Sequence, residues 1–107
     1  MKRGEVFWVN FERAVGGEVR KRRPAVIVSN NAANAASNRI QVIPLSSNIS
    51  HVRSWEARVQ VLGRPAKAMA DQIRTVAKER VLDMAGRLAP AEMRAVESAL
   101  RLQLGLT

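Results

Sequence analysis

Val6-Phe7-Trp8-Val9 is the first apolar run, opened by Gly4-Glu5 and closed near Asn10, and its β-branched and aromatic content predicts a strand. Residues 11–22 are polar and glycine-bearing and predict a long loop, a type that is often functional or mobile in compact domains. Ala25–Ser29 is a continuous apolar run of the kind buried on both faces. Asn30 to Asn38 is rich in Asn and Ala and predicts one short helical turn around Asn31–Ala35. Ile40–Leu45 predicts a strand, with Pro44 placing that end at an edge or bulge. Glu56–Val61 alternates strictly, as a strand with one wet face does.

Gly63-Arg64-Pro65 then predicts a turn, followed by extended pieces at Ala66–Ala70 and Ile73–Val76 around Asp71-Gln72. Lys78–Val81 reads as a helical turn and Met84–Leu88 as a last strand. Pro90 suits the first position of a helix whose apolar face is Met93, Val96, Leu100 and Leu104, with Gly105 as its C-terminal cap. Ala89 is a poor N-cap, so fraying is expected at the start. Many strands and one terminal helix predict a mainly β fold with α, built as a small, partly open barrel or strongly bent sheet.

Composition narrows the class. At 107 residues the chain reads as a single domain, 1–107, large enough to fold around its own core. The absence of cysteine excludes disulfides and thiolate–metal sites, and a lone histidine, His51, excludes a histidine cluster within one chain. No apolar stretch approaches the ~18 residues that span a bilayer, and no signal-peptide pattern opens the chain, so a cytoplasmic protein without membrane contact is expected. The net charge of +9 is uneven: residues 1–24 hold seven Lys/Arg against three Glu, whereas residues 76–107 hold five against four acids. A positive front and a near-neutral tail favour a polyanionic partner such as nucleic acid or an acidic protein segment over a merely basic surface.

The chemistry concentrates at Arg22-Arg23-Pro24, where cations meet the start of an apolar strand five residues after Glu18. The planar guanidinium fork fits phosphate. Pro24 fixes its own φ and biases Arg23 toward extended geometry, so backbone aims the side chain. A strand mouth with a fixed cation and a nearby carboxylate is a candidate phosphate site.

Read together, Lys2-Arg3-Gly4-Glu5-Val6 with Trp8-Val9, Gly16-Gly17-Glu18, Arg23–Asn30, Val42–Asn48, Ala70–Thr75 and the terminal helix resemble the MazF/PemK family of toxin endoribonucleases. The resemblance runs in order along nearly the whole chain. It implies an SH3-like, partly open β-barrel of the CcdB/MazF type with a C-terminal helix, working as a homodimer. It implies sequence-selective cleavage of single-stranded RNA without metal or cofactor, leaving a 2′,3′-cyclic phosphate. It further implies inhibition by a cognate acidic antitoxin.

Cyclising cleavage needs deprotonation of the 2′-hydroxyl, stabilisation of phosphate charge and protonation of the leaving 5′-oxygen. By resemblance, the catalytic set is Glu18, Arg23 and Ser46, with Ser47 the adjacent alternative hydroxyl. Arg23 clamps the phosphate; Glu18 serves either as base or as orienter of Arg23. One branch of the family carries an Arg-x-Asp pair on a later strand; here Asp71 matches, but Met69 stands in place of the arginine. That lowers Asp71 to a structural or base-contacting role. Arg20, Lys21, Arg22, Arg53 and Arg58, with Arg39 and Arg64, are candidate RNA-backbone contacts that supply salt-sensitive affinity. Base choice is expected from residues 11–22 and 46–56. Trp8 is assigned to core or interface, and Trp55 either packs or stacks on a base. The rival functions are a non-enzymatic CcdB-like inhibitor of DNA gyrase, which has no use for the Glu18/Arg23/Ser46 set, and a degenerate RNA-binding module that leaves RNA intact.

Overall fold

The computed structural model describes residues 1–11 and 21–106. Its strands are β1 (Glu5–Phe11), β2 (Lys21–Ile27), β3 (Arg39–Ser46), β4 (Glu56–Val61), β5 (Arg64–Met69), β6 (Arg74–Ala77) and β7 (Val81–Arg87). Two helices join them, α1 (Asn31–Ala36) and α2 (Pro90–Leu104), along with single 3₁₀ turns at Ala70–Gln72 and Lys78–Arg80. The sheet runs β4-β5-β3-β2-β1-β7, with β6 also paired to β3. All described pairings are antiparallel, and two register shifts between β1 and β7 bend that side of the sheet. The result is a mainly β, curled and partly open sheet carrying one long C-terminal helix.

The apolar runs Ala25–Ile27 in β2 and Val42–Leu45 in β3 follow from burial on both faces. Val26, Ile43 and Leu45 join β4, β5 and α2 in one core through Ala57, Val59, Ala66, Ala68, Met93, Val96 and Ala99. The alternate residues Ala25, Ile27, Ile40 and Val42 pack with Val9, Phe11, Met69 and Val76 in the other. A period-two chain lying between two apolar layers has no wet face to encode.

Several boundaries move for identifiable reasons. β2 starts at Lys21 rather than Ala25, because β1 extends to Phe11 and pairs as far as Phe11↔Lys21. The expected 11–22 loop therefore keeps neither end, and its interior, 12–20, lies outside the described residues. Pro44 is not at a sheet edge: β3 is central, with β2 on one side and both β6 and β5 on the other. Val28 N–H donates to the Gln41 carbonyl at 3.0 Å, which fixes the parity of the β2–β3 ladder. By that parity the Pro44 nitrogen turns away from β2, toward the gap between the last β6 pair (Val42↔Arg74) and the first β5 pair (Leu45↔Ala68). The missing donor falls where no partner strand exists.

The turn before β5 is Leu62-Gly63, with φ 53° and 72°, so Arg64 and Pro65 already belong to the strand. Positive φ at both central residues is the requirement of a type I′ hairpin. β7 begins at Val81, three residues before the expected strand. On α2 the buried residues are Met93, Val96 and Ala99; Leu104, expected in that stripe, is 50% exposed because the helix has run past its partner strands. The helix start does not rely on Ala89. Glu92 accepts the Ala89 N–H at 2.8 Å and the Gln60 N–H at 2.6 Å, capping the helix and tying it to β4. Gly105, at φ 69°, ends it as expected, with Leu106 N–H donating back to the Arg101 carbonyl.

Candidate active site

Pro24 opens the site. Its register partner on β1 is Trp8, and the β1–β2 ladder continues past it to Lys21. The parity set by Val28 and Gln41 aims the Pro24 nitrogen at β3, and there it has no N–H to give. The β2–β3 pairing accordingly stops at Ala25↔Pro44. Beyond that point the two strands bound a cavity of about 730 Å³, lined by Trp8, Lys21–Pro24, Leu45–Ser47 and the β4–β5 hairpin from Val61 to Ala66. Arg23 thus stands at a strand mouth with respect to β3, although it is interior with respect to β1.

Register also relates residues far apart in sequence across the mouth of the cavity. Continuing the Ala25↔Pro44 register by two places sets Arg23 opposite Ser46, on one face of the sheet. The same count sets Arg22 opposite Ser47, on the other face. Both pairs line the cavity, but only Ser46 shares a face with Arg23.

The electrostatics are one-sided. Lys21, Arg22, Arg23 and Arg64 line the cavity, and no acidic residue does so among the described residues. Among the described residues, the one buried side-chain nitrogen or oxygen with no hydrogen-bond partner is Nε of Arg23. Leaving a buried donor unpaired costs about 1–3 kcal/mol, and more when the group is charged. A donor held in that condition beside a cationic cavity is matched to an anionic acceptor. The backbone reinforces the picture: the two described non-glycine residues with positive φ, Lys21 (61°) and Leu62 (53°), both line this cavity. Such strain, of order 1–3 kcal/mol per residue, concentrates at ligand sites.

The remaining candidates fall elsewhere. Glu18 and Arg20 lie outside the described residues. Asp71 is exposed on the 3₁₀ turn Ala70–Gln72 and does not line the cavity. Met69 packs into the second core cluster. Arg53 places its guanidinium 5.6 Å from the Trp55 ring centroid. Arg58 sits on β4 beside α2, lining shallow depressions with Ala95 and Glu92. His51 contributes its backbone carbonyl, which accepts from Lys67 Nζ at 2.8 Å. Trp8, expected in core or interface, is half-buried and lines the cavity. An aromatic on an apolar strand carries no sequence mark of which wall it will face. Among the described residues no group of His, Cys, Asp or Glu is clustered to hold a metal ion, and no helix is long and apolar enough to cross a membrane.

Comparison with known proteins agrees with this architecture. The chain is 40% identical over 115 aligned residues to endoribonuclease MazF9 of Mycobacterium tuberculosis, covering 99% of this chain and 98% of that protein. It superposes on a mycobacterial endoribonuclease solved in complex with its cognate antitoxin, with TM-score 0.85, 25% identity, and coverage of 100% of this chain and 97% of that one. It is equally similar to MazF from Deinococcus radiodurans, with TM-score 0.85 and 25% identity over 99% of this chain and 97% of that one. The family model of PemK-like, MazF-like toxins matches residues 2–104. A curled sheet with a cationic cleft at its mouth, and homology to an endoribonuclease along its whole length, lead to one assignment: this chain belongs to the PemK-like, MazF-like toxins of type II toxin–antitoxin systems.

Proposed function

We propose that this protein is the toxin endoribonuclease of its toxin–antitoxin pair, cutting single-stranded RNA at short sequence motifs without a metal ion. The observation that carries the reading is the unpaired Nε of Arg23 in a cavity lined by four cations. In the reaction, the ribose 2′-oxygen loses its proton and attacks the adjacent phosphorus. The P–O5′ bond breaks, the 5′-oxygen gains a proton, and a 2′,3′-cyclic phosphate and a 5′-hydroxyl remain.

Arg23 donates to the non-bridging oxygens as charge builds on them, a role in which one well-placed donor is worth about 10²–10³ in rate. Ser46, on the same face in the continued register, adds a neutral donor. Glu18 acts at the 2′-hydroxyl as base or orients Arg23. Lys21 and Arg22 hold the flanking backbone. Arg53, Arg58 and Asp71 stand apart from the cavity, so their contact with RNA requires a path of several nucleotides or a second copy of the chain. The protein acts as a homodimer, and an acidic antitoxin silences it by laying carboxylates against the residue 20–23 cations.

The test is cleavage of RNA oligonucleotides by the purified protein in excess EDTA, with both new ends analysed. Cyclic-phosphate and 5′-hydroxyl ends support the reading. Dependence on a divalent metal, or tight gyrase binding with RNA left intact, refutes it.

A further inference from the structure

The cavity is much larger than a phosphodiester requires, and its far wall is chemically different from the Arg23–Ser46 side. Register places Trp8, Pro24 and Leu45 on one face, and that face continues through Ala66 to Arg64 on the β4–β5 hairpin. At the hairpin tip, Leu62 is 61% exposed and held at φ 53°, a conformation glycine would adopt without strain. Arg64 is exposed on the same hairpin and forms no ion pair among the described residues. An indole, an exposed aliphatic side chain and a free guanidinium thus converge on one cavity, a few residues from the proposed scissile-phosphate position.

We propose that this wall is a nucleobase subsite: the base next to the cut stacks on Trp8 and is gripped by Leu62, while Arg64 holds the following phosphate. The inference rests on the endoribonuclease reading and extends base choice to the hairpin 62–64. Aromatic–base stacking is sequence-tolerant and makes the larger contribution, whereas one phosphate contact adds salt-sensitive affinity.

The test compares Leu62→Gly, Arg64→Ala and Trp8→Leu with Arg23→Ala. Two readouts are used: steady-state cleavage of RNA oligonucleotides, and binding of a random-sequence ten-mer lacking 2′-hydroxyls, which cannot be cut. Leu62→Gly and Arg64→Ala, both at an exposed tip, are expected to raise KM about 5- to 10-fold with kcat within about 3-fold. Leu62→Gly is expected to leave Tm unchanged or raised, because it relieves the positive-φ strain. Arg64→Ala is expected to lower the log–log salt slope of ten-mer binding by about 0.7. Trp8→Leu should weaken ten-mer binding about 10- to 100-fold. The proposal is overturned if Leu62→Gly and Arg64→Ala leave KM, ten-mer affinity and salt slope unchanged while Arg23→Ala abolishes cleavage. It is also overturned if those variants lose only antitoxin affinity, which would assign the wall to a partner peptide. A wild-type protein that cuts no RNA refutes the parent reading instead, and ten-mer binding then still decides whether the wall takes nucleotides.

Discussion

Breaking the Glu56–Lys67 pair tests how far the segment between β3 and β4 depends on one buried contact. Glu56 Oε1 lies 3.2 Å from Lys67 Nζ, with side chains only 6% and 13% exposed. The same carboxylate oxygen accepts the Arg53 N–H at 2.9 Å, and the ammonium also donates to the His51 carbonyl at 2.8 Å. Glu56→Ala therefore strands a poorly hydrated ammonium and orphans an amide. Removing one partner of a fully buried pair costs about 3–5 kcal/mol. Lys67 keeps the His51 carbonyl and some access to water, so about 2–3 kcal/mol is the reasonable loss here. At about 4–8 °C per kcal/mol for a domain near this size, Tm should fall by roughly 10–20 °C. Thermal and urea unfolding followed by circular dichroism read this directly. The double change Glu56→Leu with Lys67→Met should recover most of the loss, with a coupling of about 1–3 kcal/mol in the cycle. A coupling below about 0.5 kcal/mol would refute the reasoning, because independent residues add to that accuracy.

Glu92→Ala removes the acceptor for two backbone amides, those of Ala89 and Gln60, and should cost about 1–2 kcal/mol in urea unfolding. Glu92→Gln should recover part of it. On α2, Val96→Ala should destabilise by roughly 1–3 kcal/mol, since the side chain is 1% exposed, while Leu104→Ala should stay within about 0.5 kcal/mol. Equal costs at the two positions would restore the longer apolar stripe. Asp71→Asn, exposed and away from the cavity, should leave cleavage within about 3-fold of wild type in the same oligonucleotide assay.

The strands that carry the site were legible because their apolar content is unambiguous, and Pro24, Pro90 and Gly105 mark features that any chain must obey. What escaped depended on partners. Nothing local distinguishes Pro44 at an edge from Pro44 facing a gap between two partner strands on a central strand. The stripe Met93, Val96, Leu100, Leu104 has perfect helical spacing, yet it stops packing where the sheet stops. Leu62 resisted prediction because leucine is disfavoured at positive φ, and glycine one residue later drew the turn toward itself. At the site, the residues around Pro24 pointed to Arg23 and the family resemblance to Ser46, while the continued β2–β3 register is what puts residues 23 apart in sequence on one face. Trp8 is half-buried and borders the cavity where the β2–β3 ladder stops, a wall that nothing in its own strand marks.

The central claim is that Arg23 holds the scissile phosphate, and single-turnover cleavage by Arg23→Ala and Arg23→Lys in excess EDTA tests it most directly. The Arg23→Ala rate should fall about 100-fold or more, with Arg23→Lys intermediate because a point charge replaces only part of the fork. The Tm of Arg23→Ala should not fall, since the residue's Nε is unpaired in the free protein. A variant that cuts RNA at the wild-type rate, or one that is inactive only because it has unfolded, would contradict it.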